Sequence, residues 1–172
     1  MDFNQNYFEL VGLPVSFDID AELLNARYLD LQKEVHPDRF ASSTEHEKRL
    51  SMQWATLINT AHATLKDPLQ RAVYLLEMQD VELAHNPVLP PAFLMEQIEL
   101  REQLEEIEES ASLEALDSFR KQAEEVKKKV EREFADAIES DIKQAETAVY
   151  ELQFITKLLT SADHLEEKLL EY

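Results

Sequence analysis

The chain has no cysteine. This removes disulfides, thiolate metal sites, a cysteine nucleophile and cysteine ligation of an iron–sulfur cluster. It has a single glycine, Gly12. Sheets and tight hairpins consume more glycine than that, so the composition points to helices. It also leaves no glycine-rich loop to cradle a phosphate, which argues against nucleotide binding. No apolar run reaches membrane-spanning length, and no basic-then-apolar segment marks a signal peptide. Basic residues are scarce, with 17 Lys and Arg against 36 Asp and Glu and a formal net charge of −19. Such a surface repels phosphate backbones and anionic lipid and suits basic partner surfaces. A soluble cytoplasmic protein, binding neither nucleic acid nor membrane, is the expectation.

What is present is a helical protein of 172 residues, 44% of them hydrophobic, enough for a packed core. The charge is uneven: residues 1–78 carry a net −5 and residues 79–172 a net −14. Tyr7, Phe8 and Val11 form a short helical pattern, with Gly12 at the position after the helix end and Pro14 blocking its resumption. Leu24, Tyr28, Leu31 and Val35 then repeat at helical spacing, as do Leu50, Trp54, Leu57, Ile58, Ala61 and Leu65. Asp18 or Asp20 caps the first of these helices. Ser42 with Glu45 matches a capping box for the second, which runs to about Lys66. Proline restricts the residue before it, so the first helix stops near His36. The pair reads as an antiparallel hairpin with His36-Pro37-Asp38 at its tip. Leu69–Glu77 adds a short fourth helix.

Residues 77–91 read as a linker, with Asn86-Pro87 and Pro90-Pro91 and no sustained period. Three long helices follow, roughly 92–109, 113–138 and 141–170, with Ser110 or Ser112 and then Ser140 as caps. Short connections make them antiparallel neighbours in a three-helix bundle. The first bundle helix has two apolar faces. Phe93, Leu100, Leu104 and Ile107 share one. Leu94, Met95 and Ile98 project elsewhere, among Glu99, Glu102 and Glu106, and Phe154 lies off the main stripe of the last helix. Two readings stand for this second face: packing against the N-terminal domain or linker, or a partner site with apolar anchors rimmed by carboxylates.

Catalysis finds little support. His36 and Asp38 have no Ser, Cys or Lys in nucleophile context, and a hairpin tip is poorly shielded from water. His46, His62, His85 and His164 have no metal-ligand spacing, so neither a metal nor a cofactor is expected. Interaction remains. Lys33 lies opposite the core stripe of its helix, Arg27 lies on its flank, and with Arg39 they make a small basic surface near the tip.

These segments resemble a known family. YFELVGL at Tyr7–Leu13, HPDRF at His36–Phe40 and INTAHATLKDPLQRAVYLL at Ile58–Leu76 are similar to a J-domain. DPLQRAVYLL, FLMEQIELREQLEEIEE at Phe93–Glu109 and the closing LEEKLLEY narrow the match to the HscB-type J-domain co-chaperones of iron–sulfur cluster biogenesis. The resemblance implies an all-α protein: a J-domain over residues 1–76 and a three-helix scaffold-binding bundle over residues 92–172. It implies no enzyme activity. His36, Pro37 and Asp38, with Arg27, Lys33 and Arg39 around them, would stimulate the ATPase of an HscA-type DnaK-family chaperone. Leu94, Met95, Ile98, Glu99, Glu102, Glu106 and Phe154 would hold an IscU-type scaffold. Arg39 stands where many J-domains have lysine, and Glu22, Asp30 and Glu34 make the helix before the tip less basic than in general-purpose J-domains; both departures suit a dedicated partner. The absence of the cysteine-bearing N-terminal extension of many eukaryotic relatives suggests a bacterial cytosolic form. A purely structural adaptor is the rival reading.

Overall fold

Short polar side chains start most of the helices. Asn6, Asp20, Thr44, Asp67, Ser112 and Asp141 each accept a hydrogen bond from the backbone N–H three residues on, satisfying a donor that the first helical turn leaves free. The computed structural model describes residues 2–171, and among them the elements are α1 (Tyr7–Val11), α2 (Ala21–Val35), a 3-10 turn (Pro37–Phe40), α3 (Glu45–Lys66), α4 (Pro68–Glu77), α5 (Pro91–Ser110), α6 (Leu113–Ala137) and α7 (Ile142–Leu170), with no strand. The protein is all-α.

Two starts differ from the sequence expectation. The capping box of α3 is Thr44 with Glu47, not Ser42 with Glu45. Ser43 is held back by its N–H, which donates to Phe40 O at 3.0 Å and prolongs the turn. α7 is capped by Asp141 rather than Ser140, whose hydroxyl instead donates back to Asp136 O at the end of α6. Helix ends follow local rules too. Gly12 sits at φ 69 after α1, and its N–H and that of Leu13 close on Glu9 O and Phe8 O. Asp80, at φ 60, ends α4 in the same way, with Val81 N–H reaching Leu76 O. Both are Schellman closures.

The chain divides between Leu75 and Leu76 into two compact units. In the first, α2 and α3 form the hairpin with α1 packed on both. Leu10, Val35, Trp54, Ile58 and Ala61 make a buried cluster, flanked by Tyr7, Tyr28, Leu31, Leu50 and Leu57. These are the two stripes expected from helical spacing. Each fully buried large apolar side chain stabilises by about 1.5–3 kcal/mol. Polar bonds join the helices beside the core. Tyr28 hydroxyl donates to Asn59 Oδ1 at 2.8 Å, and His62 Nε2 lies 2.9 Å from Asn25 Oδ1 with its ring stacked on Tyr28.

In the second unit α6 and α7 pack along their lengths and α5 lies against both. Leu116, Phe119, Ala123, Val130 and Phe134 of α6 meet Ala145, Val149, Leu152 and Ile155 of α7 in the buried layer. The segment before α5 is not free chain. Gln79 Nε2 donates to Ile138 O at 2.9 Å, and Ala84 N–H donates to the Tyr150 hydroxyl at 2.7 Å. The expected linker is therefore bonded, in part, to the bundle.

Candidate functional site

The tip is built by helix termination. His36 takes extended angles (φ −60, ψ 135), as the residue before a proline does. Pro37 opens the 3-10 turn, where a missing N–H leaves no intrahelical bond unmade. His36 Nδ1 accepts from Asp38 N–H at 3.3 Å and lies 3.7 Å from the Asp38 carboxylate. A neutral imidazole accepting there carries its proton on Nε2, leaving a donor free for a partner. The side chains are 57% and 93% exposed, so the pair faces solvent. Arg39 turns back over α2, its Nη1 donating to Lys33 O at 3.5 Å, which places a cation at the helix C-terminus. Lys33 pairs loosely with Asp30 at 3.8 Å.

The three cations do not form one cluster. Arg27 sits roughly 13 Å back along α2 from His36 by the helical rise. It lies near Gly12, where an added Cβ would stand 4.0 Å from its guanidinium carbon. His36, Asp38, Arg39 and Lys33 share one end of the hairpin, and Arg27 lies along its flank.

In the second unit the two faces of α5 separate cleanly. Phe93, Leu100 and Ile107 are buried, whereas Leu94, Met95 and Ile98 are 44%, 63% and 57% exposed. Glu99, Glu102 and Glu106 are exposed beside them. Phe154 differs from an exposed anchor, being only 9% exposed. Its ring meets Phe93 edge-on, with centroids 5.8 Å apart, and the Arg101 guanidinium covers it at 5.4 Å. It forms the floor of a cleft of about 390 Å³ between α5 and α7, with Arg101, Leu104, Lys157 and Leu158 in the walls. Burial of Phe154 follows from α7 packing on two neighbours, so its apolar residues occupy more than one stripe. Arg101 was missed by sequence reasoning, yet its spacing of three from Ile98 and seven from Leu94 puts it near that face.

Among the described residues no group of three His, Asp or Glu side chains could hold a metal ion, and no helix is long and apolar enough to cross a membrane. Two titrating groups lie off the candidate contacts. Burial, then the Glu133 and Glu96 carboxylates, pushes Glu151 above the usual carboxylate range, opposed by Lys129. Burial, then Lys66, lowers His62.

Residues 89–163 match the family model described as the HSCB C-terminal oligomerisation domain. The co-chaperone protein HscB homolog of Aliivibrio salmonicida (strain LFI1238) is 43% identical over 169 residues, covering 96% of this chain and 99% of that protein. The chain belongs to the HscB co-chaperone family. The solved chaperone HscB from Vibrio cholerae is similar in structure, with a TM-score of 0.86 at 38% identity, covering 96% of this chain and 99% of that one. Human co-chaperone protein HscB gives a TM-score of 0.89 at 28% identity, over 96% and 84% of the two chains. The J-domain and a role in iron–sulfur assembly are typical of the HscB family.

Several segments that carry the HscB resemblance are packing devices. In DPLQRAVYLL, Asp67 caps α4, and buried Arg71 donates to Leu65 O at 2.6 Å while lying over the Phe17 ring. Tyr74 accepts from Tyr7 N–H at 3.0 Å and stacks on its ring. In LEEKLLEY, Leu165 is buried, Glu166 pairs with Arg120 at 2.8 Å and Lys168 reaches Glu108 at 2.6 Å.

Proposed function

We propose that this co-chaperone binds an IscU-type iron–sulfur scaffold through its bundle, delivers it to an HscA-type DnaK-family chaperone in the cytoplasm, and stimulates that chaperone's ATPase through the His36-Pro37-Asp38 tip. It is not itself an enzyme. The observation that carries the reading is the exposed row of Leu94, Met95 and Ile98, rimmed by Glu99, Glu102 and Glu106, on a helix whose other face already fills the bundle core. Exposed apolar anchors with an acidic rim suit a partner that offers apolar and basic groups.

The tip supplies a second contact of different character. His36 and Asp38 are open to solvent on a hairpin fixed by its core. Such a turn acts on another protein's active site rather than forming one. Holding both partners raises the effective concentration of scaffold at the ATPase. Stimulation requires the tip to bind the hydrolysing state of the chaperone better than its resting state.

Replacing His36 by Gln tests the division of labour. The expected result is loss of stimulation of an HscA-type ATPase, by about tenfold or more if one buried contact of about 1.4 kcal/mol is lost, with scaffold affinity unchanged. Stimulation that survives the substitution would return the protein to the structural-adaptor reading. Synergy between scaffold and this protein in the same assay supports the whole scheme.

A further inference from the structure

We infer that Ser51 is a positioning residue for the His36-Pro37-Asp38 tip, its buried hydroxyl fixing the peptide group from which His36 departs. This rests on the proposed role of the tip. Ser51 lies on α3 and is 5% exposed. Its Oγ donates to Val35 O, the last carbonyl of α2, at 2.7 Å. In a continuing helix that carbonyl would accept from Arg39 N–H. Here Arg39 N–H bonds His36 O at 3.0 Å, and Pro37 has no N–H to offer. Helix termination therefore strands a carbonyl on a residue that is itself 5% exposed, where an unmade bond is costly.

Ser51 does not behave like Thr56 and Thr60 of the same helix. Thr56 and Thr60 donate to the carbonyls four residues back, Met52 O and Thr56 O, at 3.0 Å each. That is the ordinary habit of an exposed helical hydroxyl. Ser51 reaches across the hairpin instead. The Val35 carbonyl and the His36 N–H belong to one rigid peptide plane, so holding the oxygen sets the direction in which His36 leaves the helix. The other side-chain bonds at the tip, Asp38 N–H to His36 Nδ1 at 3.3 Å and Arg39 Nη1 to Lys33 O at 3.5 Å, are longer and exposed. The short buried bond ties the tip to the same helix that supplies Trp54 and Ile58 to the core.

Ser51→Ala removes the donor and keeps a strong helix former. The freed peptide then samples orientations that reach water, and the tip spends less time in the docking geometry. Apparent affinity falls by that fraction. The half-saturating concentration for stimulating an HscA-type ATPase should rise about fivefold while the maximal stimulated rate is retained, at a temperature where thermal unfolding shows the variant folded. The Val35 carbonyl carbon signal and the His36, Asp38 and Arg39 amide signals should shift. Ser51→Thr, which keeps the hydroxyl, should restore both readouts toward the original. Unmoved tip signals or an unchanged half-saturating concentration in Ser51→Ala overturn the inference, and a Thr variant folded but no better than Ala does the same. If the unsubstituted protein and His36→Gln stimulate alike, the tip reading itself fails, and the carbonyl and amide signals still decide whether Ser51 sets the tip.

Discussion

The two units present their proposed contact residues in opposite ways. In the first, the proposed contacts His36 and Asp38 sit on a turn whose bonds run to Pro37's 3-10 turn, to Arg39 folded over a helix end and, across the hairpin, to the hydroxyl of Ser51, which is not among the proposed contacts. In the second, Leu94, Met95 and Ile98 stand on an unbroken helix, and the helical period places them. A turn is therefore vulnerable at residues that never touch the partner. A helix face is vulnerable mainly at the residues that do. The charge difference runs in parallel, with most of the acid on the half that carries the helix face.

The largest expected effect breaks the helix-face side of this contrast. Replacing Leu94, Met95 and Ile98 by Ala together removes exposed apolar anchors and leaves α5's buried face intact. At about 1–2 kcal/mol each for interface anchors, affinity for an IscU-type scaffold should fall by roughly a hundredfold or more. Thermal stability should stay nearly unchanged. Calorimetric binding alongside a melting curve checks both, and unaltered affinity in the folded variant would return this face to a packing role.

Phe154→Ala sharpens the same comparison. Phe154 is buried against Phe93 and under Arg101, so the substitution should cost about 3 kcal/mol of stability as well as scaffold affinity. Denaturant unfolding should show a loss that the Leu94, Met95 and Ile98 substitutions do not. A Phe154 variant with wild-type stability would mean that the cleft refills around the gap.

These differences mark what the sequence could reveal. Apolar periodicity is enough for α1 to α7, for the stripes of α2 and α3, and for the two faces of α5, because one face of a helix repeats at a fixed interval. It fails where position depends on a neighbour. Phe154 does lie off the main stripe of α7, but the period alone does not tell that α7 packs on two helices and so buries this side chain too. Thr44 and Asp141 displaced Ser42 and Ser140 as caps because adjacent turns continued one or two residues further, and several polar residues in a row all satisfy the capping pattern. Ser51 falls three before Trp54 and seven before Ile58, on the buried stripe of α3, but as a polar residue it adds nothing to an apolar pattern. Its place in the site is set by a carbonyl 16 residues away.

Arg120→Ala probes how the helix face is kept in register. Arg120 of α6 pairs with Asp163 and Glu166 of α7 at 2.8 Å each and is itself mostly buried, its side chain 25% exposed. Removing it should lower bundle stability by about 1–2 kcal/mol, more than an exposed pair such as Lys121–Asp117 contributes. Denaturant midpoints of Arg120→Ala and Lys121→Ala give the comparison, and equal losses would show that burial of the guanidinium adds nothing.

The smallest effects concern pH, and they differ in sign between the units. Glu151 in the bundle is raised above its ordinary 4.5, first by burial and then by Glu133 and Glu96. The native state therefore binds more protons than the unfolded one between 4.5 and the raised value, and this residue makes stability fall as pH rises through that window. His62 in the hairpin is lowered from its ordinary 6.5, first by burial and then by Lys66. There the unfolded state binds more protons, and stability falls as pH drops below 6.5 toward the lowered value. Glu151→Gln should accordingly be more stable than the unsubstituted protein near neutral pH, with the gain fading as the pH approaches 4.5. His62→Gln should be less stable near neutral pH, with its deficit fading below 6.5. Melting curves of both variants across this range test the pair. A Glu151→Gln gain that did not change with pH would mean that the carboxylate's repulsion by Glu133 and Glu96 is relieved by rearrangement, and that the helix-face unit is softer than its unbroken helices suggest.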